Sequence, residues 1–201
     1  MQQQFREYLA SAAALQAALD LSAVEAFVEL VQQARQRGAT IFLCGNGGSA
    51  TTACHFATDL QKSTMAPGQP RVRALALGEN TGLLTAWAND TDYSRVFAEQ
   101  LQALGRPGDV LVALSASGNS PNVLAAVEAA REVGMTVVAL TGFDGGILRG
   151  RADLAIHVPV ASYELAEDAH LMVCHLVIIA LKAAAARGQP ERAPSVIPLR
   201  P

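Results

Sequence analysis

Three of the four histidines in this 201-residue chain fall on two helical stretches, His55 on one and His170 and His175 on the other, and each stretch also carries carboxylates. His55 and Asp59 are four apart and share a helix face. Glu167 and His175 are eight apart, about two turns, so both lean towards one cleft. An imidazole and a carboxylate from each helix supply four nitrogen and oxygen ligands of the kind suited to zinc, or an acid and a base for moving protons. Either chemistry requires the two helices to meet, in one subunit or across subunits. His157, inside the last strand-like segment, reads as structural.

Two short runs offer a second kind of chemistry. Cys44-Gly-Asn-Gly-Gly-Ser49 and Ser115-Ala-Ser-Gly-Asn-Ser120 each sit where an apolar, strand-like segment gives way to a helical one. In the first, Gly45, Gly47 and Gly48 allow a tight turn around Asn46, a candidate substrate-binding residue, and Ser49 opens the helix. In the second, Ser115, Ala116 and Ser117 leave the strand, and Ser120 stands as N-cap before Pro121, at a helix's favoured proline position. Free N–H groups, serine hydroxyls and the positive ends of two helix dipoles then converge on one spot, which suits a phosphate dianion. The first run lacks the lysine of a P-loop, and no G-x-G-x-x-G opens either helix, so a small sugar phosphate fits better than ATP or a dinucleotide. Asn89-Asp90 either stops a helix or grips substrate hydroxyls, and Trp87 reads as packing.

These side chains need a scaffold. Apolar segments at 39–44, 72–77, 109–115, 136–141 and 154–159 alternate with helical periodicity at 49–61, 83–88, 93–104 and 120–133 and a short turn at 145–149. That alternation predicts an α/β fold, a five-stranded parallel sheet flanked by helices on both faces. Strands as apolar as VRALAL and TVVALT agree with burial on both sides. A helical extension at about 2–37, broken near Asp20 to Ser22, precedes the core, and a long helix at 163–186 closes it. The expected organisation is one domain spanning 1–201, with N-terminal helices at 1–37, the α/β core at 38–187 and an irregular, proline-rich tail at 188–201. Ligands of such sheets bind beyond the carboxyl ends of the strands, where both serine turns lie.

Bulk properties narrow the class. A formal charge of −3 gives no electrostatic reason for nucleic acid as a partner. Hydrophobic residues make up 51% and charged residues 16%, with mean hydropathy +0.24, so apolar helical surface needs a cover. Self-association is the expected cover, on the expectation that no apolar run approaches the roughly 20 residues that span a bilayer. Cys44, Cys54 and Cys174 are odd in number and unpaired in spacing, which reads as reduced thiols in a cytoplasmic protein, and the N-terminus lacks the form of a signal peptide.

In order along the chain, Cys44-Gly-Asn-Gly-Gly-Ser49, His55-Phe-Ala, Asn89-Asp90, Gly108-Asp-Val-Leu, Ser115-x-Ser-Gly-Asn-Ser120, Leu140-Thr-Gly-x-Asp-Gly-Gly146 and a late helical His resemble the sugar isomerase (SIS) domain, most closely its phosphoheptose isomerases. The likeness runs to about residue 186. It implies a flavodoxin-like three-layer sandwich assembled as a homotetramer with sites at subunit interfaces. It also implies phosphate held by Ser49, Ser115, Ser117 and Ser120, with His55, Asp59, Glu167 and His175 as zinc ligands. Asp59 would serve as base and His175 as acid in an aldose–ketose isomerisation through an enediol. Asp59 stands where that family has Glu, Glu167 where it has Gln, and Ala116 where it often has Thr. Both carboxylate changes keep oxygen donors. Non-catalytic relatives use the same scaffold to bind proteins, one of them the bacterial replication initiator, and others act on or sense different sugar phosphates. Retention of both His55 and His175 points to the enzyme.

Overall fold

Five parallel strands, β1 (Thr40–Cys44), β2 (Arg73–Ala76), β3 (Val110–Ser115), β4 (Thr136–Thr141) and β5 (Leu154–His157), stand in the order β2-β1-β3-β4-β5 in the computed structural model, which describes residues 1–186. The irregular tail expected at 188–201 lies outside the described residues. In register, Cys44 pairs with Ala113, Ser115 with Thr141 and Thr141 with His157, so the turns leaving β1 and β3 emerge at the same edge of the sheet.

Alternation along the strands sorts the side chains into two cores. Ile41, Leu43, Val112, Leu114, Val138 and Leu140 face α2 (Leu21–Arg37), α3 (Gly47–Lys62) and α8 (Tyr163–Ala186), packing against Phe27, Phe56 and Val177. Phe42, Leu111, Ala113, Val137 and Ala139 face the other way, against Phe97 and Leu101 around α5 (Ala98–Leu104) and Val123 and Val127 of α6 (Pro121–Val133). This two-sided burial explains why the strands read as nearly unbroken apolar runs. Phe56 is completely buried and meets Phe27 edge-on at 5.8 Å between ring centres, so truncating it to alanine costs about 3–5 kcal/mol. That contact sets the depth of α3, the helix carrying His55.

Local chemistry fixes the helix limits. The break after α1 (Gln2–Ala17) falls where Asp20 caps α2 by accepting from the N–H groups of Ser22 and Ala23, and Gly38, with φ of 69°, ends that helix. α4 (Thr81–Asp90) is longer than expected, because Asn80 accepts from Leu83 N–H and starts it two residues early. Asn89 and Asp90 therefore form its last turn instead of following it. The stretch expected as one helix at 93–104 splits into a 3-10 turn at Tyr93–Arg95, capped by Asp92, and α5. β5 stops at His157, short of Pro159, which has no N–H to donate to a ladder.

The last long helix corrects one expectation. α8 has 24 residues with mean hydropathy 1.9 in its most apolar stretch, long and apolar enough by length and composition to cross a membrane. Here it is a core helix: Val173, Cys174, Val177, Ile178 and Leu181 are buried in the same cluster as Phe27 and Phe56 of α2 and α3.

A histidine and aspartate cluster beside two serine turns

α3 and α8 pack side by side and run in the same direction, which brings residues far apart in sequence together two turns into α3. His55 Nε2 lies 3.3 Å from His175 Nε2 and 3.3 Å from Asp59 Oδ2. The ligating atoms of all three residues fall within 4.8 Å of one another. The imidazole rings stand 5.1 Å apart at 62°, so their nitrogens, not their faces, converge. Asp59 Oδ1 accepts from Ser63 Oγ at 2.9 Å, which fixes the carboxylate and leaves Oδ2 turned to the histidines.

Donors bound at about 2.0–2.1 Å to a tetrahedral zinc ion sit about 3.3–3.4 Å from one another, and two separations in the cluster have this value. The nitrogen and oxygen donors suit the same ion. The neighbouring thiols of Cys54 and Cys174 fall outside this ligand set, and burial is the main cause pushing both up. The site therefore fits a zinc-class cation held by His55, Asp59 and His175.

Glu167 stands apart from these three. Its carboxylate rests on Gly48 in the first turn of α3, where a Cβ on residue 48 would lie 2.1 Å from Oε2. The bare glycine leaves room for the carboxylate there, and a side chain at 48 would push its movable tip aside. Eight residues of helix rise about 12 Å, which carries Glu167 along α8 from His175 to the serine turns and out of the ligand cluster.

The two turns are tied to each other. The side chains of Asn46, just before α3, and Asn122, in the first turn of α6, exchange two hydrogen bonds of 2.8 Å. Tyr93 adds a third contact, its hydroxyl donating to Asn46 Oδ1 at 3.1 Å. In the second turn Ser115 Oγ faces Ser120 Oγ at 3.2 Å and accepts from Gly118 N–H at 3.1 Å. Ser120 thus precedes the helix without capping it through its side chain. Ser49 and Ser115 are buried, Ser117 is half-buried and accepts from Asn119 N–H, and Ala116 is 5% exposed. Gly118, with φ of 66°, lets this turn touch the one before α7 (Gly146–Arg149): a Cβ there would lie 2.0 Å from the Gly145 carbonyl oxygen.

Asn89 and Asp90 bond to each other on the exposed end of α4. Asn122 and Tyr93 were not singled out from the sequence. A polar residue at the second position of an otherwise apolar helix was the available signal for Asn122. His157 Nδ1 pairs with Thr141 Oγ1 at 3.1 Å, a structural contact between adjacent strands. His170 is 1% exposed with neither ring nitrogen hydrogen-bonded, and burial pushes it down to about 4.

Residues 6–142, which carry both turns, His55 and Asp59, match the SIS domain family. The phosphoheptose isomerase of Desulfovibrio desulfuricans is 47% identical over 141 residues, 70% of this chain and 67% of that protein. That of Chlorobaculum parvum is 40% identical over 161 residues, 79% of this chain and 77% of that protein. Among solved structures, the phosphoheptose isomerase from Neisseria gonorrhoeae superposes with a TM-score of 0.84 at 34% identity, covering 90% of this chain and 98% of that one.

Proposed function

The chain belongs to the SIS domain family and, within it, to the phosphoheptose isomerases; we propose that it interconverts sedoheptulose 7-phosphate and D-glycero-D-manno-heptose 7-phosphate. The observation that carries this reading is the convergence of His55, Asp59 and His175 on one point, down α3 from the serine turns.

The substrate phosphate sits against the hydroxyls of Ser49, Ser115, Ser117 and Ser120 and the N–H groups of Gly47 and Gly48. Serine hydroxyls can donate to a dianion, and two helix starts add partial positive charge. Ala116 contributes its backbone there and no hydroxyl. Seven residues of α3 separate Gly48 from His55, a rise of about 10 Å. A seven-carbon sugar phosphate in extended form has about the same length, so its carbonyl end reaches the cluster while its phosphate stays at the turns. Asn46, Asn89, Asp90 and Glu167 line the sugar's path to its hydroxyls, and Glu167, being on Gly48, is assigned to the sugar ahead of the metal.

At the carbonyl end Asp59 removes the proton from the carbon next to the carbonyl, and the released electron pair forms the carbon–carbon double bond of a cis-enediol. His175 supplies the proton to the carbonyl oxygen; Asp59 then gives its proton to the former carbonyl carbon while the hydroxyl on the carbon first deprotonated loses its own to His175 and becomes the new carbonyl, which restores both side chains. Ser63 serves this step by holding Asp59 Oδ1, which keeps the carboxylate from rotating away. His55, Asp59 and His175 would hold a zinc ion, which when bound would supply a Lewis acid to steady negative charge on the sugar oxygens.

We read the chain as a single cytoplasmic domain that forms a homotetramer. The three free cysteines and the exposed apolar side chains of Phe5, Leu9, Tyr163 and Ile179 on α1 and α8 support this. The functional test is incubation with sedoheptulose 7-phosphate, with and without added zinc. An aldose 7-phosphate is expected, and its absence from both incubations refutes the assignment.

A further inference from the structure

We propose that a cleft at the opposite pole of the sheet, beneath the N-terminal ends of β1, β2 and β3, is a second anion site that takes a nucleoside phosphate. The cleft measures about 360 Å³, and the guanidinium groups of Arg73 and Arg106 stand on its wall. Both are exposed, and among the described residues neither is in an ion pair. Arg73 spends Nε on Thr40 Oγ1 at 3.3 Å, which aims its two terminal nitrogens without occupying them. Arg37, outside the cleft beside its lining residue Gly38, donates Nε and Nη2 to the Gly108 carbonyl and adds a third positive charge nearby. Three guanidinium groups at one pole are a local excess in a chain of formal charge −3.

The one acid lining the cleft offsets a single positive charge and offers a ligand no free oxygen. Asp109 is 6% exposed and both its oxygens are committed, Oδ1 to Thr40 N–H at 2.7 Å and Oδ2 to Arg106 N–H at 2.9 Å. Those two bonds also pin the backbone under Thr40 and Arg106. Paired guanidinium groups on a fixed frame match the oxygens of a phosphate or diphosphate.

The rest of the lining decides the ligand's body. Leu75 is half-buried and Leu104 is 48% exposed, so the wall beside the arginines is apolar. Past these two leucines the surface continues into a hollow of about 480 Å³ carrying Glu79, Asn80 and Thr81. A flat base can lie on the leucines with its polar edge at Asn80 and Thr81 while its phosphates meet the arginines. A sugar phosphate fits less well, because the wall beside the arginines is apolar and the cleft's own carboxylate is already hydrogen-bonded. The four rises of β1 place about 13 Å between this cleft and the first serine turn, so the two anion sites are separate.

The experiment is calorimetric titration of the full chain with ADP and with pyrophosphate, on wild type, Arg73→Ala/Arg106→Ala and Ser115→Ala/Ser120→Ala. ADP is expected to bind wild type, to lose about tenfold or more in affinity in the arginine variant, and to be unaffected in the serine variant. Pyrophosphate is expected to bind more weakly than ADP, and isomerase turnover in the arginine variant to match wild type. An Arg73→Gln/Arg106→Gln pair, checked by circular dichroism, replaces the alanine variant if that one does not fold. No binding of ADP at millimolar concentration, binding indifferent to the arginines, or binding lost with the serines overturns the proposal. Pyrophosphate binding as tightly as ADP overturns the assignment of the apolar wall.

Discussion

Replacing Asp59 by Asn tests the base at nearly constant shape. The amide keeps an oxygen for Ser63 Oγ, which now stands 2.9 Å from Oδ1, and places a neutral NH2 where Oδ2 faces His55 at 3.3 Å. What is lost is the ability to accept a proton. A positioned general base contributes about 10²–10⁴ in rate, or about 3–5 kcal/mol of barrier, so kcat is expected to fall by that factor. Stability should hardly respond: the side chains of His55 and Asp59 are 48% and 24% exposed, and an exposed pair of this spacing is worth about 0.5 kcal/mol or less. The melting temperature should therefore move by no more than about 2 °C. The assay is chromatographic measurement of aldose formed from sedoheptulose 7-phosphate, with bound zinc quantified by mass spectrometry on the same samples. Asp59→Glu, which keeps the charge and adds one methylene, should retain substantial turnover. If Asp59→Asn turns over within about threefold of wild type, Asp59 is not the base. If its loss is reversed by excess zinc, the residue acts as a ligand alone.

Ser115→Ala with Ser120→Ala removes two facing hydroxyls from the turn and is expected to raise KM about tenfold or more while changing kcat much less; an unchanged KM would remove this turn from phosphate binding. Gly118→Ala sets a Cβ 2.0 Å from a backbone oxygen at φ of 66° and should cost about 2–4 kcal/mol, a fall of about 5–10 °C in melting temperature. Gly48→Ala meets only the movable tip of Glu167, so it should melt within a few degrees of wild type, and the reverse ranking of the two variants would contradict the packing described. His170 is pushed from its ordinary 6.5 to about 4 by burial, so the unfolded chain binds the extra proton first. Stability present above about pH 6.5 is therefore lost as pH falls towards 4, by up to about 3 kcal/mol, and urea titrations at pH 7.5 and 5 should show a smaller loss in His170→Leu.

The scaffold was legible because its physics is local and repeated. β3 and β4 are apolar on both faces, β-rich in composition and followed by glycine and serine, and such a run can only be a central strand. Misplaced boundaries trace to single side chains that propensity does not weigh. Asn80 starts α4 early by accepting from Leu83 N–H, and Asp92 caps a 3-10 turn that interrupts what periodicity reads as one helix. The length of α8 was legible too, though not that it is apolar enough to count as a span, and composition alone does not separate a helix buried by α2 and α3 from one buried in lipid.

The candidate site divides along the same line. His55 and Asp59 needed only a four-residue spacing, about 6 Å of rise and a small rotation, and a helix keeps such a pair together whatever surrounds it. His175 needed α8 to lie against α3 at one level, which depends on Phe56, Val173 and Val177 filling the space between them. Glu167 needed the same docking, and there spacing misleads: at about 100° per residue, eight residues turn the side chain about 80° away from His175 as well as carrying it about 12 Å along the axis. The carboxylate consequently reaches the glycine turn, where the missing Cβ of Gly48 leaves room for it. An acid at that place stands next to the α3 amide groups proposed for the phosphate, so the same geometry sets it in electrostatic competition with the substrate's anion. Glu167→Gln keeps the shape and removes the charge, and it is expected to lower KM for the sugar phosphate several-fold, most clearly at low ionic strength, where charge repulsion is least screened. An unchanged KM across salt concentrations would show that the carboxylate leaves Gly48 when substrate binds.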